Sequence, residues 1–252
     1  MITGTGFGAT QGGSVVLLNG TQATVNSWGA TSISVTIPAG ATSGLLVVSV
    51  APSMNDSNPV IFTVTSPLPN SWLDQDVGLV GVAGGASFSN GTFTVVGAGA
   101  QIYGTADAFH FVYQPLSGDG TIMARLVSLQ GGSRYASVGV MIREALSAGS
   151  TNAKTADWPS YGGIYFDVRT TTGGGTSEPG NVSATLPYWV RVTRSGNTFT
   201  SYMSSDGANW VQLGASQTIS MAQNAFMGLA VTSGSTTALT TATFDNVSIT
   251  SP

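Results

Sequence analysis

The strongest constraint on this chain is a pattern of short runs in which apolar and small polar side chains alternate. "SISVTIP" (32–38) sets Ile33, Val35 and Ile37 against Ser32, Ser34 and Thr36. A period of two sends successive side chains to opposite faces, the mark of a half-buried strand. "AFHFVYQPL" (108–116) repeats it, with Phe109, Phe111 and Tyr113 on one face and His110 on the other. "GTIMARLVSL" (120–129), "GGIYFDVRT" (162–170) and "YWVRVTRSG" (188–196) follow, broken by turn formers such as Asn19-Gly20 and Asp206-Gly207. Helices have little to draw on. Lys154 is the only lysine, Glu144 and Glu178 are the only glutamates, and 7% of residues are charged, against a usual ~25%. The hydrophobic share of 42% sets the chain apart from disordered sequences. The expected class is all-β.

The same composition narrows the partners. A net charge of −4 and seven scattered basic residues offer no cluster to neutralise phosphates, so no nucleic acid is expected. No apolar run approaches the ~20 residues of a membrane-spanning helix. Without cysteine there is neither a disulfide framework nor a thiolate metal site. A lysine-poor, Thr/Gly-rich chain of this kind fits a segment of a larger bacterial protein, secreted or at the cell surface, whose signal peptide lies outside this segment.

The composition shifts at "SPLPN" (66–70), where two prolines punctuate a linker. Two domains are therefore expected, 1–67 and 68–252. In the first, "ITGTGFG" (2–8), Trp28, "IPAG" (37–40) and the closing "FTVTSP" (62–67) resemble the IPT/TIG family of immunoglobulin-like domains. That resemblance implies a spacer, adhesive or docking unit. Members usually carry a further strand before the glycine-rich opening, so the first strand is expected to be truncated here or donated by a neighbouring chain. Asp56 is the only ionisable side chain before residue 68, so no acid–base pair can form there. Trp28, in strand context, is expected to pack.

The second domain carries enough strands for a two-sheet sandwich, a jelly roll. "LPNSWLDQDVG" (68–78), "VGVMIREALSAGS" (138–150), "YWVRVTRSG" and "FDNVSIT" (244–250) resemble the concanavalin A-like lectin/glucanase superfamily. The similarity is closest to the bacterial group labelled "regulation of enolase protein 1-like", a label that is not a demonstrated activity. The fold expected is an N-terminal immunoglobulin-like β-sandwich followed by a C-terminal concanavalin A-like jelly-roll β-sandwich.

Glucanases of that superfamily carry an E-x-D-x-x-E strand, and a retaining mechanism needs two carboxyl groups ~5–5.5 Å apart. No such motif occurs here. Asp74 and Asp76 have alternate spacing but precede the first clear strand, where capping or cation binding suits them. His110 is the sole imidazole, so any Ser-His-Asp arrangement would run through it. No enzyme is expected. Asp76 and Asp245, near the two ends of one sandwich, are placed either to share a structural calcium ion with backbone carbonyls or to cap turns.

Sugar binding needs flat rings for C–H faces and charged planar groups for hydroxyls. Strand periodicity puts Arg125, Arg143, Asp167 and Arg169 on polar faces. The loop "TADWPSYGG" (155–163) brings Trp158 and Tyr161 toward Tyr165 as a mobile aromatic lip. The alternative for the charges is a buried network, with Arg143 pairing Asp167. Trp189 and Trp210 are expected in the core. The expected function is a non-catalytic carbohydrate-binding module with a polysaccharide or glycan surface as partner. A second reading is a structural or adhesive subunit of a matrix or filament, bound to neighbouring copies; a third is a glycan hydrolase.

Overall fold

Every alternating run quoted above lies in a strand of the computed structural model, which describes residues 1–38, 44–62 and 68–251. Ala39 and Gly40 of "IPAG", Thr63–Pro67 of "FTVTSP" and the Ser66-Pro67 start of the linker lie outside the described residues. The chain divides into Met1–Thr65 and Ser66–Pro252.

In the first unit, a three-stranded sheet runs in the order β1 (Ile2–Thr3), β5 (Ser32–Thr36), β4 (Thr24–Trp28). A five-stranded sheet orders β3 (Thr21–Gln22), β2 (Val15–Leu18), β6 (Gly44–Val50) and β7 (Asn55–Asp56), with β8 (Val60–Phe62) also on β6. Phe7, Val16, Leu18, Ala23, Ile33 and Val48 form the core between them, as an immunoglobulin-like sandwich requires. Trp28 packs as expected. Its indole N–H donates to Phe7 O at 3.1 Å, and its ring meets Phe7 edge-on.

The second unit stacks two larger antiparallel sheets. One orders β10 (Gly85–Ser89), β11 (Thr92–Gly99), β25 (Ser235–Thr250), β15 (Gly120–Gly131), β20 (Tyr188–Ser195), β21 (Thr198–Ser204) and β22 (Val211–Gln212), with β23 (Gln217–Thr218) also on β21. The other orders β19 (Ser177–Ser183), β18 (Gly163–Arg169), β17 (Asn152–Trp158), β16 (Ser137–Arg143), β24 (Asn224–Thr232), β14 (Phe109–Ser117) and β9 (Leu73–Val77). A short ribbon, β12 (Ile102–Tyr103) with β13 (Ala106–Asp107), stands apart from both.

The main core follows from the alternation. Ile122, Ala124 and Leu126 of β15 and Val190 and Val192 of β20 meet Val138, Val140 and Ile142 of β16 and Ile164, Phe166 and Val168 of β18. Gly118-Asp119 joins β14 to β15, strands of opposite sheets. One strand reading needs correction. Asp74 and Asp76 lie within β9 itself, paired in register with β14.

A second, smaller core covers the other face of the seven-stranded sheet. Phe109, Phe111 and Tyr113 of β14 and Met141 of β16 pack there with Ile102 of the ribbon. The segment 99–108 thus lies over part of this outer face and reaches Lys154 of β17 and Arg169 of β18.

Candidate functional site

Lys154 and Trp158 of β17 and Tyr165, Asp167 and Arg169 of β18 project from the outer face, because their neighbours Ala153, Ile164, Phe166 and Val168 fill the core. Beside the ribbon, Trp158, Tyr165 and Asp167 line a cavity of about 220 Å³, together with Gln101, Tyr103, Tyr135, Tyr161 and Glu178. Trp158 is 6% exposed and forms an inner wall, whereas Tyr103, Tyr135 and Tyr161 are 37, 40 and 45% exposed.

The loop carrying Tyr161 is tied to the neighbouring strands by hydrogen bonds. Pro159–Tyr161 makes one turn of 3₁₀ helix, closed by Gly162 at φ 75°, where an L side chain would be strained. The Tyr165 hydroxyl donates to Tyr161 O at 2.9 Å and the Ser183 hydroxyl to Gly162 O at 3.1 Å. Tyr161 and Tyr103 each stand nearly perpendicular to Trp158, at 6.0 and 6.2 Å between centroids.

Asp167 anchors the floor. Trp158 Nε1 donates to its Oδ2 at 3.1 Å, and Lys154 Nζ reaches the same oxygen at 3.1 Å. Lys154 also donates to Ile102 O at 3.0 Å, tying the ribbon that holds Tyr103 to the sheet. Burial first, then the charges of Asp167 and Glu178, push the Tyr103 and Tyr165 hydroxyls above their ordinary 10.0, though the order of the two carboxylates is reversed at Tyr165.

Of the expected binding residues, Trp158, Tyr161, Tyr165 and Asp167 come together here, and the two arginines do not. Arg143 is fully buried beside Asp107, whose Oδ2 it meets at 3.3 Å. Arg169 binds both oxygens of Asp107 at 2.7 Å. The two guanidinium groups also donate to Gly104, Ala145, Ser147, Ala148, Ser150 and Gly174 carbonyls. Burial and the neighbouring Arg169 charge pull Arg143 down to about 10 against the support of Asp107. This is the buried network weighed above, with Asp107 in place of Asp167.

Arg125 belongs to the other sheet. It binds Asp245 through two hydrogen bonds of 2.8 and 2.6 Å, a bidentate pair on the outside of the eight-stranded sheet. Trp189 shares that outer face, in register with Arg125. Nearby, Arg191 is stacked 4.1 Å from the Tyr202 centroid and 4.4 Å from that of Trp210. Val190 and Val192 take the core positions, so neither Trp189 nor Trp210 belongs to the main core.

The two aspartates read as calcium ligands also part company. Asp76 accepts from Gly84 N and lies 2.8 Å from His110 Nδ1, while His110 Nε2 is 3.2 Å from Asp74. Asp245 is engaged by Arg125 on the opposite sheet. Among the described residues there is no group of three or more His, Cys, Asp or Glu arranged for a metal ion.

Tyr103, Tyr135, Gln101 and Glu178 were not singled out by the sequence. They come from the ribbon, the turn after β15 and the edge strand β19, and only the closure of the sheets brings them to one cavity.

Residues 1–66 match the IPT/TIG domain family. No curated protein matches the sequence. Among solved structures, the chain is similar to a functionally unknown protein from Saccharomyces cerevisiae at 18% identity and a TM-score of 0.52, covering 67% of this chain and 92% of that one. It is also similar to the GH43 protein BlXynB from Bacillus licheniformis, at 12% identity and a TM-score of 0.55. That match covers 87% of this chain and 46% of the longer protein. The carbohydrate-binding module CBM66 from Bacillus subtilis aligns at 16% identity and a TM-score of 0.47, over 72% of this chain and 96% of the module. At these identities the likeness with TM-scores above one half is one of fold.

Proposed function

We propose that the second unit is a non-catalytic carbohydrate-binding module, and that the IPT/TIG domain serves as its spacer within a larger secreted or cell-surface bacterial protein. We assign the unit to the concanavalin A-like superfamily, in the group labelled "regulation of enolase protein 1-like". The observation that carries the reading is the cavity of about 220 Å³, lined by Trp158 and four tyrosines, with Gln101, Asp167 and Glu178 as polar partners. Aromatic walls with a few placed polar groups are what a small-ligand site needs. With liquid water taking ~30 Å³ per molecule, the space suits one sugar ring.

Hydrolysis has less support. Of the two carboxylates, Asp167 is engaged by Lys154 and Trp158, and Glu178 accepts from Asn181 Nδ2 at 2.7 Å. Both carboxylates are thus held by neighbouring side chains. The test is retention on immobilised glycans, with reducing-sugar release measured on the same material. Tyr161→Ala, at an exposed position, should abolish retention and leave the fold intact. Retention unaffected by Tyr161→Ala and Tyr103→Ala together would remove the cavity from consideration, and sugar release would convert the module into an enzyme.

A further inference from the structure

The cavity's rings are set as a box and not as a platform. A sugar that stacks on an aromatic side chain lies flat on an open ring face, but Trp158 is 6% exposed and the Lys154 ammonium lies 4.6 Å from its centroid. Tyr103 and Tyr161 stand at 87° and 82° to it. Rings set at right angles to a third offer no flat platform, and the faces of exposed tyrosines are surfaces on which ammonium ions bind.

The protein already seats cations on these rings. Lys154 occupies Trp158, and the exposed Arg134 guanidinium carbon sits 5.4 Å from the Tyr135 centroid and 5.5 Å from that of Tyr161. Both distances fall within the ~6 Å range of a cation–π contact. Arg134 is the only one of the two at the rim, where a ligand's cation could take its place. Below it, Lys154 offsets Asp167, so the exposed Glu178 supplies the negative charge that a ligand meets.

Resting on the carbohydrate reading above, we propose that the unit bound here is an amino sugar with a free, protonated amine, held by the tyrosine walls and Glu178. Burial is the main cause that raises the Tyr103 and Tyr165 hydroxyls, and the charges of Asp167 and Glu178 add to it. Arg134 then acts as a tethered competitor for the amine.

The experiment is calorimetric titration at about pH 6, where such amines are protonated, with four probes. These are glucosamine oligomers, their N-acetylated counterparts, glucose oligomers of equal length, and tetramethylammonium chloride. The free-amine oligomers should bind at least ~10-fold more tightly than the acetylated ones. Glu178→Gln should remove most of that preference, Arg134→Ala should enlarge it, and added salt should weaken it. Circular dichroism of each variant confirms folding, which these exposed positions should not disturb. If acetylated or neutral oligomers bind as tightly as the amines, the amine assignment fails and the carbohydrate reading stands. If only tetramethylammonium binds, or nothing does, both fall.

Discussion

The Lys154 ammonium lies 4.6 Å from the centroid of Trp158 and 3.1 Å from Asp167 Oδ2, so one buried cation joins the cavity's inner wall to its carboxylate. Both charged side chains are almost wholly removed from solvent. A pair so buried is worth little over an apolar pair, but breaking it strands a charge. Lys154→Met should therefore cost ~3–5 kcal/mol in urea unfolding. The double variant Lys154→Met, Asp167→Leu should recover a large part of that loss, because neither charge then remains. A double-variant loss equal to the sum of the two single-variant losses would show that the two side chains act independently.

Asp107 holds a different part of the same face. It is the single carboxylate between Arg143 and Arg169, which together bind the loops around residues 104, 145–150 and 174. Asp107→Ala should leave two buried guanidinium groups facing each other and cost ~3–5 kcal/mol. Hydrogen exchange should quicken first across residues 101–108, including Tyr103. A loss below ~1 kcal/mol, the range of exposed pairs, would mean that water reaches the cluster.

The Asp74–His110–Asp76 group makes stability depend on pH. Burial opposes the imidazolium, but hydrogen bonds to Asp74 and Asp76, then their charges, raise His110 above its ordinary 6.5. Its contribution is complete below 6.5 and is lost as pH rises through the raised folded value. Burial also opposes ionisation of Asp76, but His110 and the Gly84 N–H outweigh it and hold the carboxyl below its ordinary 3.8. That contribution is complete above 3.8 and is lost as pH falls through the lowered value. The group should stabilise most between these two ordinary values, 3.8 and 6.5. Melting curves of His110→Asn should show the difference from wild type largest inside this window; a difference that does not vary with pH would refute the assignment.

Asp157 acts in the opposite sense. It faces the core side of β17, and burial raises its carboxyl from 3.8 to about 7. Between those values the unfolded chain is ionised while the folded one keeps the proton, so stability falls as pH rises. Asp157→Asn should remove that penalty, gaining at least ~1 kcal/mol more at pH 8 than at pH 4, since one pKa unit is ~1.4 kcal/mol. Denaturant midpoints at the two pH values decide it.

Half of the cavity was legible in the sequence. Alternation in "GGIYFDVRT" put Tyr165 and Asp167 on one face, and the adjoining loop supplied Trp158 and Tyr161. What alternation cannot convey is which sheet a strand joins, because that depends on pairing between distant segments. Periodicity therefore puts Arg125 on a polar face without telling that its sheet is not that of Arg143 and Asp167, while Tyr103 and Tyr135 lie in stretches without periodicity. Trp189 shows a related limit. Its strand has two faces, and the smaller Val190 and Val192 fill the core while the indole lies outside against Trp210. The alternate aspartates of β9 looked like an entry segment because a strand with three charged or amide residues in five carries little apolar signal.

The sixteen-residue strand β25 lies between β11 and β15, in the interior of its sheet, although it is the last strand of this unit in the order of synthesis. Until Thr250 has left the ribosome, the two halves flanking that gap have no partner to join them, so the sandwich cannot assemble gradually as the chain emerges. Folding of this unit waits for its final stretch, and nascent chains stalled short of it should remain sensitive to protease.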